Sequence, residues 1–224
     1  FFGHENRSLP DEPSYVCGVL CGKRADDAWN QRFDEYDFFD AKGVVEELLD
    51  ALRVTKVRFK AADPEQYPWL QPGRAAEVLA RGEVIGWVGN VHPRGLRATG
   101  VDAPVVAFEL SQAALLRMAA DQLPYEDVPT LPGVDVDLAI VVDESVTCET
   151  LMQRITSAGG KLLAGARLFD VYRDDERVGA GKKSMAFSLT YRAADRTLTS
   201  DEVEKAHAKL VAKVCKATGG EVRS

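Results

Sequence analysis

From Ser184 to Tyr191 the chain alternates small and bulky side chains without a miss: Ser184, Ala186, Ser188 and Thr190 against Met185, Phe187, Leu189 and Tyr191. Strict period two commits a segment to an extended strand whose two faces meet different surroundings, because successive side chains point to opposite sides of a sheet. The run before it, Leu168-Phe169-Asp170-Val171-Tyr172, alternates too, and an acidic turn separates the pair. Simple counting puts Phe169 and Val171 on one face and Leu168, Asp170 and Tyr172 on the other. With the bulky sets turned to a core, the opposite face carries one aromatic ring, one carboxylate and a floor of hydroxyls and methyls. Such a face suits an unpaired nucleobase, which stacks on a ring and hydrogen-bonds along its edge. It equally suits an ordinary half-buried hairpin with a tyrosine tucked under a loop, and the pattern alone leaves both open.

The flanking segments complete a plan. Val136, Leu138, Ile140 and Val142 alternate with Asp137, Ala139 and Val141, which reads as a strand with the first set inward. A helix is expected from Thr147 to Ala158, stopped by Gly159-Gly160. Thr199-Ser200-Asp201-Glu202 is a capping box, and the helix it starts runs to about Thr218 with Val203, Ala206, Leu210 and Val214 inward. Lys205, Lys209, Lys213 and Lys216 form a basic stripe on it, either a phosphate-binding surface or a solvated face. Glu221-Val222-Arg223 reads as a final edge strand. The order is βαββαβ, an α+β unit of ferredoxin-like type with helices on one sheet face and the other left open.

Upstream, Pro124, Pro129 and Pro132 mark a linker at 123–132 between a first domain, 1–122, and a second, 133–224. The first domain is mostly antiparallel strand. Tyr15 to Cys21 and Val57 to Lys60 are expected strands, as are Arg74 to Leu79, Val84 to Val91 and Val105 to Leu110, with a helix carrying Val44, Val45, Leu48, Leu49 and Leu52. A loop is expected over 63–73 and a short helix over 111–119. Gly82, Gly86 and Gly89 match no dinucleotide or Walker fingerprint and are read as sites of close backbone packing; His92, before Pro93, is read as structural. Cys17, Cys21, Cys148 and Cys215 are too scattered for a disulfide framework or a metal knuckle and are expected as buried thiols in a reducing compartment. The start, Phe1-Phe2-Gly3, reads as a cut inside a longer protein, and no apolar run is long enough to span a bilayer. A net charge of -7 speaks against the whole chain coating nucleic acid, but the charge is uneven. Residues 161–224 hold 13 Lys and Arg against 9 Asp and Glu, while residues 1–160 hold 15 against 26.

The runs LFDVYR, GKKSMAFSL and RTLTSDEV resemble the anticodon-binding domain, of ferredoxin-like fold, at the end of bacterial phenylalanine–tRNA ligase beta subunits. In the first domain DFFDAKG, the Ala28-Trp29-Asn30 triplet and PGRAAEVLARGEVIGWVGNVHP resemble the synthetase-like domain of the same subunits, in the same order. The resemblance, to their C-terminal portion, implies a segment of a cytoplasmic aminoacyl-tRNA synthetase built from two alpha and two beta subunits, which joins phenylalanine to its tRNA using ATP and Mg2+. It implies that the alpha subunit holds the aminoacylation site. The class II synthetase-like antiparallel domain here is then catalytically silent and packs against alpha, in keeping with its lack of class II nucleotide motifs. The partners implied are the alpha subunit and the phenylalanine-specific tRNA, with no DNA or membrane. No catalytic or metal residue and no cofactor fall in this segment. By motif, Tyr172 stacks on an anticodon base, Asp170 and Ser184 meet base edges, and Lys183 and Arg196 contact the RNA backbone. The family often has a basic residue just before the aspartate at Asp137; Val136 stands there, which removes one phosphate contact. A purely bracing domain, or a small-molecule regulatory one, remains the alternative for this fold.

Overall fold

Hydrophobic alternation in the first part of the chain yields a five-stranded antiparallel sheet. Its elements are β1 (Tyr15–Cys21), α1 (Phe38–Ala51), β2 (Val57–Ala61), β3 (Leu70–Ala80), β4 (Glu83–Val91), α2 (Pro93–Ala98), β5 (Val105–Ser111) and α3 (Gln112–Met118), with strand order β1-β5-β4-β3-β2. The structure, a computed structural model, describes residues 11–120 and 130–223. It divides into two compact units, with the boundary between residues 125 and 126. Most of the linker expected at 123–132 lies outside the described residues.

One face of the first sheet packs on α1. Val78, Val88, Val106 and Leu110 meet Val45 and Leu49 in a single apolar cluster, with Val16 and Leu20 of β1 at its margin. The DFFDAKG segment is the start of α1. Asp37 accepts from the amides of Phe39 and Asp40, and Asp40 returns a bond to the Asp37 amide, which satisfies donors that a helix start leaves unpaired. Between β3 and β4 the two-residue turn Arg81-Gly82 has φ of 51° and 89°, the type I′ geometry that matches strand twist. At Gly86 a Cβ would lie 2.0 Å from the Glu109 carbonyl, so this position packs backbone on backbone. β3 starts earlier than the expected loop allowed, because an irregularity between Leu70 and Ala75 absorbs Pro72 and Gly73. His92 caps α2, its Nδ1 accepting from the Arg94 amide.

The cysteines correct one expectation. No disulfide joins them, but Cys17 and Cys21 are exposed, and Cys148 and Cys215 are only half-buried. β1 is an edge strand, and Tyr15, Cys17, Val19 and Cys21 point away from α1 along it. Val19 is 67% exposed.

The second unit contains β6 (Val134–Asp143), α4 (Cys148–Gly159), β7 (Leu163–Tyr172), β8 (Lys182–Tyr191), α5 (Ser200–Thr218) and β9 (Glu221–Val222), with strand order β7-β8-β6-β9. Leu138, Ile140, Val142, Met185, Phe187, Leu189 and Tyr191 project to one side of the sheet and pack against Leu151 and Ile155 of α4 and Val203, Leu210 and Val214 of α5. Thr199 and Glu202 form the capping box that starts α5. The lysine stripe of α5 is exposed on its outer side, away from the bare face of the sheet. Among the described residues, no helix is long and apolar enough to cross a membrane.

Candidate nucleic-acid interface

Antiparallel register decides which side chains share the bare face of the second sheet, since directly paired residues project to the same side. Tyr172 pairs with Ser184, which pairs with Val141, which pairs with Glu221, so these four form one row across the sheet. Asp170, Ala186 and Ala139 form the next row, and the Arg223 amide donates to the Ala139 carbonyl beside it. Tyr172, Asp170 and Ser184 therefore lie together, above a floor of alanine, serine and valine.

β7 does not follow simple alternation. Leu168 pairs with Phe187 and Val171 with Met185, both toward the helices, because the register shifts between Leu168 and Asp170. Phe169 occupies the irregularity and is 50% exposed, and Leu168 packs on the core. The assignment by counting of Phe169 to the core and Leu168 to the outer face is thus reversed, while Tyr172 stays outward.

The ring of Tyr172 is held at two points. Its hydroxyl donates to Asp174 Oδ2 at 2.7 Å. Asp174 in turn accepts from the Glu176 and Arg177 amides through Oδ1, at 3.0 Å each. Bonding to this carboxylate pushes the phenol above its ordinary pKa, so it stays protonated, and the same bond holds Asp174 below the carboxylate range. The Arg223 guanidinium carbon lies 4.9 Å from the ring centroid. The contacts of Asp174 and Arg223 with Tyr172 carry no signal in the strand pattern: one depends on the turn and the other on the sheet being closed by β9.

Two expected backbone contacts sit elsewhere. Lys183 shares its face with Met185, is 8% exposed, and places Nζ 2.8 Å from the Glu144 carbonyl and 3.5 Å from its carboxylate. Arg173 forks onto that same Glu144, with Nη2 at 2.9 Å and Nε at 3.1 Å, and the Arg173 bond chiefly lowers the Glu144 pKa. Lys183 is thus a brace that ties the β6–α4 connection to the strand ends beneath Tyr172. Its alternation with Ser184 already marked it for the helix side. Arg196 follows β8 at the opposite end of the sheet from the Tyr172–Ser184 pair and bonds Glu202 of the capping box. Ser184 lies on the right face but is only 3% exposed.

Residues 1–112 match the family described as the phenylalanyl tRNA synthetase beta chain CLM domain, and residues 129–223 match the ferredoxin-fold anticodon binding domain. The chain belongs to the phenylalanyl-tRNA synthetase beta chain family. It is 36% identical over 223 residues to the phenylalanine–tRNA ligase beta subunit of Syntrophotalea carbinolica, covering 100% of this chain and 27% of that protein. The proteins of the same description from Symbiobacterium thermophilum and Bacillus subtilis are 41% and 40% identical, over 98% and 94% of this chain and 24% and 26% of theirs. The chain spans about a quarter of the length of these relatives.

Proposed function

We propose that this chain is a working part of a phenylalanine–tRNA ligase beta subunit, in which the second unit binds the anticodon of the phenylalanine-specific tRNA and the first packs on the alpha subunit. The observation that carries the reading is the bare β7-β8-β6-β9 face with Tyr172 outward, inside a segment matching the ferredoxin-fold anticodon binding domain. Anticodon bases are unpaired, so their faces and edges are both available to such a surface. Tyr172 stacks on one base, Asp170 accepts from an exocyclic amine, and Ser184 is reached once the floor is uncovered. Lys183 serves by holding the strand ends, and Arg196 by fixing the start of α5. Chemistry with ATP and Mg2+ belongs to the full, cytoplasmic enzyme; binding energy far from the reacting atoms positions the tRNA for it.

The first unit contributes no catalytic group in this reading. Its exposed edge row of Tyr15, Cys17, Val19 and Cys21 is the surface that meets the alpha subunit, since an apolar strip on an edge strand otherwise invites unwanted pairing.

Tyr172→Ala in the assembled enzyme tests the anticodon reading. Loss of one stacked base costs about 1–3 kcal/mol, roughly a 5- to 150-fold rise in Kd for tRNA. Phenylalanine activation in the absence of tRNA is expected to stay at the parent rate. Equal tRNA affinity in variant and parent would assign the unit to bracing, and saturable binding of a metabolite to the unit would assign it to regulation.

A further inference from the structure

One face of the outward Tyr172 ring is already occupied. Arg223, following the last strand on the opposite edge of the sheet, lays its guanidinium over that ring at 4.9 Å, well within cation–π range. Strands lie about 4.8 Å apart, so β9 and β7 are separated by about 14 Å. An arginine and a tyrosine bridge such a span only by reaching toward each other across the sheet. The ground between them is Ala139 and Val141 on β6 and Ser184 and Ala186 on β8, with no long side chain in the way. Arg173 and Arg196 bond carboxylates directly, whereas the Arg223 guanidinium stacks on the Tyr172 ring, with its charge also facing Asp174, the carboxylate that holds the Tyr172 hydroxyl. Ser184, nearly buried on a face without helices, sits in the row that this pair spans.

We propose that Arg223 is the second jaw of the base-binding site: in the free chain its guanidinium rests on Tyr172, and when an unpaired nucleotide arrives it lifts onto the far face of that base, leaving the base between ring and guanidinium. The inference rests on the anticodon reading of this face. A guanidinium is planar and weakly hydrated and stacks on either surface, so moving from ring to base exchanges one stacking partner for another. The same movement uncovers Ser184 and places one positive charge beside the adjoining phosphates.

The test uses the assembled full-length enzyme and its tRNA, comparing Arg223→Ala, Arg223→Lys, Tyr172→Ala and the double alanine variant. Arg223 is exposed, so parent-like thermal unfolding is expected of its variants. Arg223→Ala should weaken tRNA binding on the order of tenfold and reduce the slope of log affinity against log salt by about 0.7, the value for one contact to a single strand. Arg223→Lys should restore the salt slope but not the full affinity. The double variant should lose less than the product of the single losses, because the two jaws hold one base. Parent-level or tighter binding by Arg223→Ala, or independent losses in the double variant, would overturn the clamp while leaving the Tyr172 reading intact. Unchanged binding in Tyr172→Ala would overturn the anticodon reading itself.

Discussion

The two sheets share an antiparallel build with helices on one side, yet they furnish the other side in opposite ways. On the first, Trp87 and Trp69 meet edge to face at 6.3 Å, and Trp69 and Tyr67 at 5.6 Å. Beneath them Glu77 is buried, accepting from the Tyr67 hydroxyl at 3.3 Å and from Lys60 at 3.2 Å. The bare side of the first sheet is thus filled by its own rings and edged with an apolar row. On the second, serine, alanine and valine leave the surface low, with the Tyr172 ring at the margin under an arginine and Phe169 exposed on the same edge strand. Large fixed side chains favour a protein partner with a matching contour. A low floor edged by a ring and an exposed arginine favours flat, replaceable occupants such as bases.

If the units are separate in stability, the sharpest break comes from their cores. Phe187 is fully buried in the second unit, and Phe187→Ala should cost about 3–5 kcal/mol. All three tryptophans, Trp29, Trp69 and Trp87, belong to the first unit, so tryptophan fluorescence should unfold at the parent urea midpoint while hydrogen exchange across β6–β9 accelerates. A shared shift in both signals would show that the units unfold as one. The contrast between surfaces is sharpened by Val19→Lys. If Val19 lies in the proposed contact with the alpha subunit, a charge there should weaken that association by about 2 kcal/mol in titration calorimetry, while the stability of the chain changes by less than about 0.5 kcal/mol. Unaltered association would move the partner surface elsewhere on the first unit.

Smaller effects probe the second unit alone. Thr199→Ala removes the cap of α5 and should lower stability by about 1 kcal/mol in chemical denaturation, and Thr199→Ser should restore most of it. Acid should act in two stages. Burial beside Tyr191 lowers the His207 pKa, so the unfolded chain binds a proton that the folded one resists, and stability begins to fall as pH drops below about 6.5. His207→Gln should abolish that first stage. Glu144, Asp174 and Glu202 have depressed pKa values through their bonds to Arg173, Tyr172 and the Thr199 amide, so their contribution is complete above about pH 4.5 and is lost as pH falls through their folded values.

Much of this was legible in the chain, and where it was not the cause is physical. The Thr199–Glu202 box, the Ser184–Tyr191 alternation and the glycine stops of α4 and α5 are local signals, and local geometry followed them. Burial of Cys17 and Cys21 was misread because a single strand does not announce whether it sits at the edge of its sheet. The Glu144 brace joins positions 29 and 39 residues apart and emerges only when β6, β7 and β8 are side by side. Arg223 was visible as the end of an edge strand, but its meeting with Tyr172 required the order β7-β8-β6-β9.

The irregularity at Phe169 has a consequence for how this surface tolerates change. It acts as a phase switch: one uncounted residue lets the early half of β7 feed Leu168 inward while the late half still turns Tyr172 outward. Removing a single residue there would leave every neighbouring letter in place and force the strand to choose between its hydrophobic anchor and its recognition ring. Substitutions at that point should therefore be forgiven far more readily than a change in length.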